Sequence, residues 1–161
     1  MPDLLWDDVA WLLDPSGGGT LPDVYVPDTT AADWQAVLDL VVEQGWPYEY
    51  AEGSTVRPLP TAGTVLARPA DAECPSLRVW PVAEVCAIFR FLADEQIDFD
   101  VSLWELQGQE RLDVLCGFLA AIGRRLGKPV PMYFEGDTRA PFLGFDVEAD
   151  RVLVLWTAAD G

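Results

Sequence analysis

Apolar side chains recur along this chain at two spacings, one near 3.6 residues and one near 2, and together these mark out its elements. The clearest helical stretch follows Asp28-Thr29-Thr30, whose side-chain oxygens suit an N-cap. Trp34, Val37, Leu38, Val41 and Val42 then fall at i, i+3, i+4, i+7 and i+8, the stripe of an amphipathic helix. Gly45 suits the C′ position, Trp46 can pack back, and Pro47 prevents resumption. A second long helix is predicted over residues 109–126, with Leu112, Leu115, Cys116, Leu119, Ile122 and Leu126 facing inward. Glu110 and Asp113 lie near its start and Arg124, Arg125 and Lys128 at its end, each sign complementing the helix dipole, before Gly127 and Pro129 stop it. A shorter first helix would bury Leu5, Val9, Leu12 and Leu13 and end in Asp14-Pro15-Ser16-Gly17-Gly18-Gly19. That glycine run lacks the Gly-Lys-Ser/Thr ending of a phosphate-binding loop and reads as a flexible connection.

The period of 2 marks the strands. Asp23-Val24-Tyr25-Val26 and Pro47-Tyr48-Glu49-Tyr50 flank the first long helix, so residues 23–51 form a β-α-β unit, parallel if both strands join one sheet. Four prolines between residues 53 and 75 predict a long connection, with a turn of helix at 61–67. Leu77-Arg78-Val79-Trp80 and residues 86–91 favour strand, the second apolar enough on both faces to be central. Residues 97–103 alternate strictly, as a half-buried strand must, which assigns Asp98 and Asp100 to a solvated face. These three runs make a meander. Residues 130–134, 143–147 and 151–156 supply further strands, the last two forming a closing hairpin. No repeat or linker divides the chain. The expected fold is a single α+β domain, a largely antiparallel sheet with two main amphipathic helices, in which residues 1–20 are an N-terminal helix and Gly-rich loop and residues 21–161 the core.

Composition then narrows the functions available. At 161 residues, half of them apolar, the chain can build a core without disulfide or metal. It carries 27 Asp plus Glu, 10 Lys plus Arg and no histidine, for a formal charge of −17. Without imidazole there is no Ser-His-Asp triad, Cys-His dyad or His-ligated zinc. With so few bases, a nucleic-acid reader is not expected. The N-terminus is acidic where a signal peptide needs bases, and no apolar run approaches the ~18 residues of a membrane span, so a cytoplasmic protein with no membrane contact is expected. Cys74, Cys86 and Cys116, an odd number at wide spacing, read as reduced and mostly buried rather than as disulfides or metal ligands. No cofactor is expected.

The charge is lopsided along the chain. Residues 1–56 hold eleven acids and no base, whereas residues 57–128 are nearly balanced. A field of that shape attracts cationic partners and speeds their encounter. Asp39 and Glu43 on the outer face of the first long helix, with Glu49 and Glu52 beyond it, are the first candidates for a contact surface. Asp94, Glu95, Asp98 and Asp100, with Glu105 nearby, are a second acidic group. Asp98 and Asp100 at i and i+2 could also hold a divalent cation or divide acid and base roles, although no DxDxDG loop accompanies them. Among seven tryptophans, Trp34, Trp80 and Trp156 read as core, while Trp6, Trp11, Trp46 and Trp104 fall at element ends or in acidic stretches. Trp46 and Trp104 are accordingly candidate aromatic anchors rimmed by carboxylates. No nucleophile is proposed, since no serine has an activating base.

The leading expectation is a non-catalytic acidic domain that covers a basic protein partner, in the manner of an immunity or antitoxin-type inhibitor of a toxin nuclease. A structural or adaptor subunit of an oligomer is the alternative, and a carboxylate- and metal-dependent enzyme centred on Asp98 and Asp100 is the third reading.

Overall fold

The computed structural model describes residues 2–17, 19–69, 71–137 and 139–155. In chain order its elements are α1 (Trp6–Val9), β1 (Asp23–Pro27), α2 (Ala31–Gln44), β2 (Tyr48–Glu52), β3 (Thr55–Arg57), α3 (Ala62–Leu66), β4 (Pro75–Val82), β5 (Val85–Arg90), β6 (Gln96–Asp100), α4 (Gln109–Leu126), β7 (Val130–Tyr133), β8 (Leu143–Asp146) and β9 (Arg151–Val154). The two long helices form where capping and apolar spacing require them. Thr30 and Asp33 make a reciprocal capping box at the start of α2, and Gly45 ends it in the left-handed conformation at φ 70°. Gly127 closes α4 in the same way at φ 65°.

All nine strands join one sheet in the order β3-β2-β4-β5-β6-β1-β7-β8-β9, with every neighbouring pair antiparallel. The fold is therefore α+β, as expected, and β4-β5-β6 is the expected meander. β1 and β2 do share the sheet, and the four antiparallel steps between them leave them parallel. They are not adjacent, however, because β4, β5 and β6 lie between them.

One face of the sheet carries the core. Leu77, Val79, Ala87, Phe89, Ile97, Phe99, Val24, Val26, Val130, Met132 and Phe145 are buried there. Phe118 of α4 meets Phe89 and Phe99, with ring centroids 6.2 and 5.5 Å away, and Trp34 of α2 meets Phe89 and Phe91. Trp34 also donates its indole N–H to the Ala93 carbonyl at 2.9 Å, anchoring α2 to the β5–β6 turn. The other face holds Cys86, Ile88, Arg90, Asp23, Tyr25, Tyr133 and Arg78, half-buried or exposed, with Asp98 and Asp100 buried among them. Strand alternation fixes this division.

Several local expectations are corrected. α1 is a single turn, so the chain changes direction and buries Leu4, while Leu5 points to solvent. On α2, Val42 is exposed and Leu40 is buried. α4 lies along the flank that carries Leu40 and Glu43, three residues apart, and turns the buried arc that way. The strand expected over 97–103 ends at Asp100, where Val101 donates to Pro22 O and residues 103–105 form a 3-10 turn. β3, not anticipated, folds back on β2 through Gly53 at φ 63°; its three residues are all exposed and give no periodic signal. Trp80 is half-buried on the face away from the core, and Trp156 lies outside the described residues. The three cysteines are free, but only Cys116 is buried; Cys86 is half-buried and Cys74 exposed. No helix among the described residues is long and apolar enough to cross a membrane.

Candidate functional site

The open face of the sheet places charge in rows. Reading across the strands, Cα partners run Tyr133, Asp23, Asp100, Ile88, Arg78 and Glu49 over β7, β1, β6, β5, β4 and β2. In the next row Tyr25 faces Asp98, and the β5–β6 register continued by two residues sets Arg90 on the other side of Asp98. Three carboxylates are thus gathered at the centre, two of them, Asp23 and Asp100, directly opposite each other. Like charges at opposite positions of a ladder destabilise it. Arg90 offsets part of this by an ion pair with Asp100.

Each carboxylate has a different environment. Asp98 and Asp100 are both only 6% exposed, which overturns their assignment to a solvated face. The alternation of residues 97–100 was real, but the polar side of the strand is covered by its cross-strand neighbours. Asp98 receives no hydrogen bond or ion pair from any described residue, because the Arg90 guanidinium turns to Asp100. Burial, then the charge of Asp23, pushes the Asp98 carboxyl up to about 6, Arg90 opposing and Asp100 adding to the shift. Asp23 is also raised, first by burial and then by Asp100, while the Gly136 backbone N–H pulls the other way. Tyr25 is raised by burial and by Asp23, Asp98 and Asp100.

Aromatic groups border the carboxylates. The Tyr25 and Tyr133 rings lie 5.7 Å apart, tilted by 54°. With Pro27 and Gln96 they line an open cleft of about 360 Å³. The loop beyond β7 is fixed beside it by Glu135, whose carboxylate accepts from the backbone N–H groups of Thr20 and Leu21 at 2.9 and 2.8 Å.

The acids singled out in the sequence do not share one surface. Glu49, Asp98 and Asp100 stand on the open face, Glu49 facing Arg78 at 3.8 Å. Asp39 and Glu43 are on α2, on the helical side, where Asp39 accepts from Gln35 and Glu43 pairs with Arg125 of α4. Glu52 pairs with Arg57 and Arg68 and accepts from the Tyr50 hydroxyl. Asp94 and Glu95 are exposed in the turn before β6, where their carbonyls accept from the Thr29 hydroxyl and backbone N–H. Glu105 lies beyond β6 and accepts from the Cys86 backbone N–H at 3.0 Å. Trp46 packs against Phe118 at 5.0 Å, partly buried between α2 and α4, whereas Trp104 is 67% exposed.

The charge asymmetry seen along the sequence is thereby redistributed. Arg57, Arg68, Arg78 and Arg125, all from the later part of the chain, return to Glu52, Glu49 and Glu43 in the first third. Asp23, Tyr25, Arg90, Gln96 and Tyr133 were not picked out from the sequence. A signal existed for two of them, since Asp23-Val24-Tyr25-Val26 alternates just as residues 97–100 do. Among the described residues, no group of three Asp, Glu or Cys side chains is placed to hold a metal ion. The arrangement offers anionic acceptors on a rigid sheet, bordered by phenol rings. No family model, curated protein or solved structure matches the chain.

Proposed function

We propose that this chain is a non-catalytic protein-binding domain that covers a basic partner with the open face of its sheet, as an immunity or antitoxin-type inhibitor of a toxin nuclease would. The observation that supports this reading is the direct opposition of Asp23 and Asp100 in the β1–β6 ladder, with Asp98 beside them and Arg90 as their counter-charge. The folded chain bears the cost of bringing these acids together before any partner arrives. A cationic surface relieves that repulsion on contact, and the rigid strands need little reordering to meet it. The partner's need to bind phosphate would supply the bases, and the acidic face would compete for them. Tyr25 and Tyr133 at the edge of the carboxylates are residue types suited to an interface anchor.

The test is capture of the native partner by the intact chain and by a variant with all three acids neutralised (Asp23→Asn, Asp98→Asn, Asp100→Asn). The reading expects a basic protein held by the wild type, released by the variant, and associating more slowly as salt rises. Equal capture by the variant would overturn it. A second reading, an adaptor subunit, draws on the exposed Trp104 in the turn between β6 and α4. It expects self-association in light scattering that Trp104→Ser abolishes.

A further inference from the structure

We infer that the open face is built to receive the guanidinium of a single arginine side chain from its partner, held by Asp98 and Asp23 with its plane against the Tyr25 ring. This rests on the reading of the open face as a surface for a basic partner, and it specifies the group that enters first.

Three observations lead to the guanidinium. The first is an unmet acceptor: the Asp98 residue is only 6% exposed and no described side chain or backbone N–H donates to it, although its carboxylate oxygens keep some contact with solvent. A largely desolvated carboxylate without a protein donor is raised in energy, and a ligand that brings charged donors offsets that. The second is the distribution of charge around it. The titratable and charged groups around Asp98 are Asp23 and Tyr25 on β1, Arg90 on β5 and Asp100 on β6, with Tyr133 on β7 beside Tyr25 and Glu135 in the loop beyond β7 acting on Asp23. Arg90 is committed to Asp100, so Asp23 and Asp98 are the acids left for an incoming cation. The third is the aromatic border. Tyr25 faces Asp98 in the ladder and stands 5.7 Å from Tyr133 in the cleft, so a flat cation can donate to a carboxylate while lying on a ring.

These features favour arginine over lysine. A guanidinium carries five N–H donors in one plane, can serve two carboxylates at once and loses less hydration than an ammonium. An ammonium would have to give up more of its stronger hydration to reach an acceptor as little exposed as Asp98. The same geometry couples entry to protons. A cation beside Asp98 stabilises its ionised form, so arginine entry near pH 6 expels a proton, and binding weakens as the pH falls below that.

The experiment uses the full chain and two end-blocked peptides, Gly-Arg-Gly and Gly-Lys-Gly, followed by carboxyl carbon NMR at low salt. At pH 7.5 the arginine peptide is expected to shift the Asp98 and Asp23 carboxyl signals saturably and to bind more tightly than the lysine peptide. Asp98→Asn, nearly identical in shape, should weaken it by about 10–100-fold, the loss of one charge-assisted hydrogen bond. Tyr25→Leu, which keeps the carboxylates, should erase the preference for arginine. Lowering the pH to 5 should weaken binding by about tenfold, consistent with an Asp98 that must give up a proton. Equal binding of the two peptides, no binding of either, or full binding by Asp98→Asn would each overturn the arginine assignment. If that happened while the triple neutralisation still released the native partner, the open face would remain the contact surface without an arginine anchor. If the triple variant also kept the partner, the reading of the face itself would fall.

Discussion

Gly123 in α4 lies against the ring of Phe145 in β8 so closely that the first carbon of any side chain there would overlap ring atoms. The Arg124 guanidinium sits over the same ring, 5.8 Å from its centre. The backbone of α4 rests directly on a side chain of the sheet at this point, and the last turn of the helix is set by it.

Gly123→Ala should therefore destabilise the fold by about 1–3 kcal/mol, because overpacking outweighs the gain of about 1 kcal/mol in helix propensity. Gly117→Ala is the matched control. It lies in the same helix, on an exposed turn with nothing within 4 Å, and should stabilise by about 0.5–1 kcal/mol. Urea denaturation of both variants would show opposite signs. A loss of stability in both would mean that the contact at Phe145 is not the cause.

Asp98 should make stability fall as pH rises through the mildly acidic range. Its carboxyl is raised from the ordinary 3.8 to about 6, so the folded state holds the proton more tightly than the unfolded chain does. Its contribution is favourable when protonated and is lost between about pH 4 and pH 6. At pH 7.5, Asp98→Asn should consequently stabilise the chain by about 1–3 kcal/mol. At pH 4 the two proteins should differ little. Denaturation at both pH values tests this, and an equal difference at each would refute it.

The ion pair between Glu43 and Arg125 should contribute little. Glu43 is largely exposed and Arg125 partly so, and such pairs are typically worth about 0–1 kcal/mol. Glu43→Gln combined with Asp39→Asn is expected to leave unfolding nearly unchanged and to retain the captured partner, since both residues are on the helical side of the sheet. Loss of the partner on this double substitution would move the contact surface to α2.

Thr30→Ala should cost about 1 kcal/mol by opening the capping box at α2. Asp33→Asn should cost less, because its amide oxygen can still accept from the Thr30 N–H. Thermal unfolding followed by far-UV circular dichroism would rank the two.

Both long helices were legible in the sequence to within a few residues because their signals are local. A cap, a stripe and a glycine stop lie within one segment, as Thr30, Trp34 and Gly45 illustrate. The meander was legible for the same reason, its strands being consecutive. The candidate site was only half legible. Asp98 and Asp100 stood out by their spacing, but whether a polar strand face is wet depends on its neighbours. Those neighbours, Asp23 and Tyr25, come from more than seventy residues earlier and pair through no local turn. Likewise, the charge count along the chain could not show that Arg57, Arg78 and Arg125 return to Glu52, Glu49 and Glu43, since ion pairs form across the fold rather than along it.

The position of β1 has a consequence for how the chain is made. Although it is the first strand, both of its partners, β6 and β7, come late, separated from it by α2, by the β2–β5 half of the sheet and, for β7, by α4 as well. A ribosome releasing this chain delivers a strand that has nothing to zip onto until residues 96–100 emerge, and whose second flank stays open until residues 130–133 follow. The pairing of β1 therefore cannot be completed until the later strands are present. The half-synthesised chain must keep an unpaired strand from sticking to others, and the run of acids without a single base over residues 1–56 gives nascent copies a mutual repulsion during that wait.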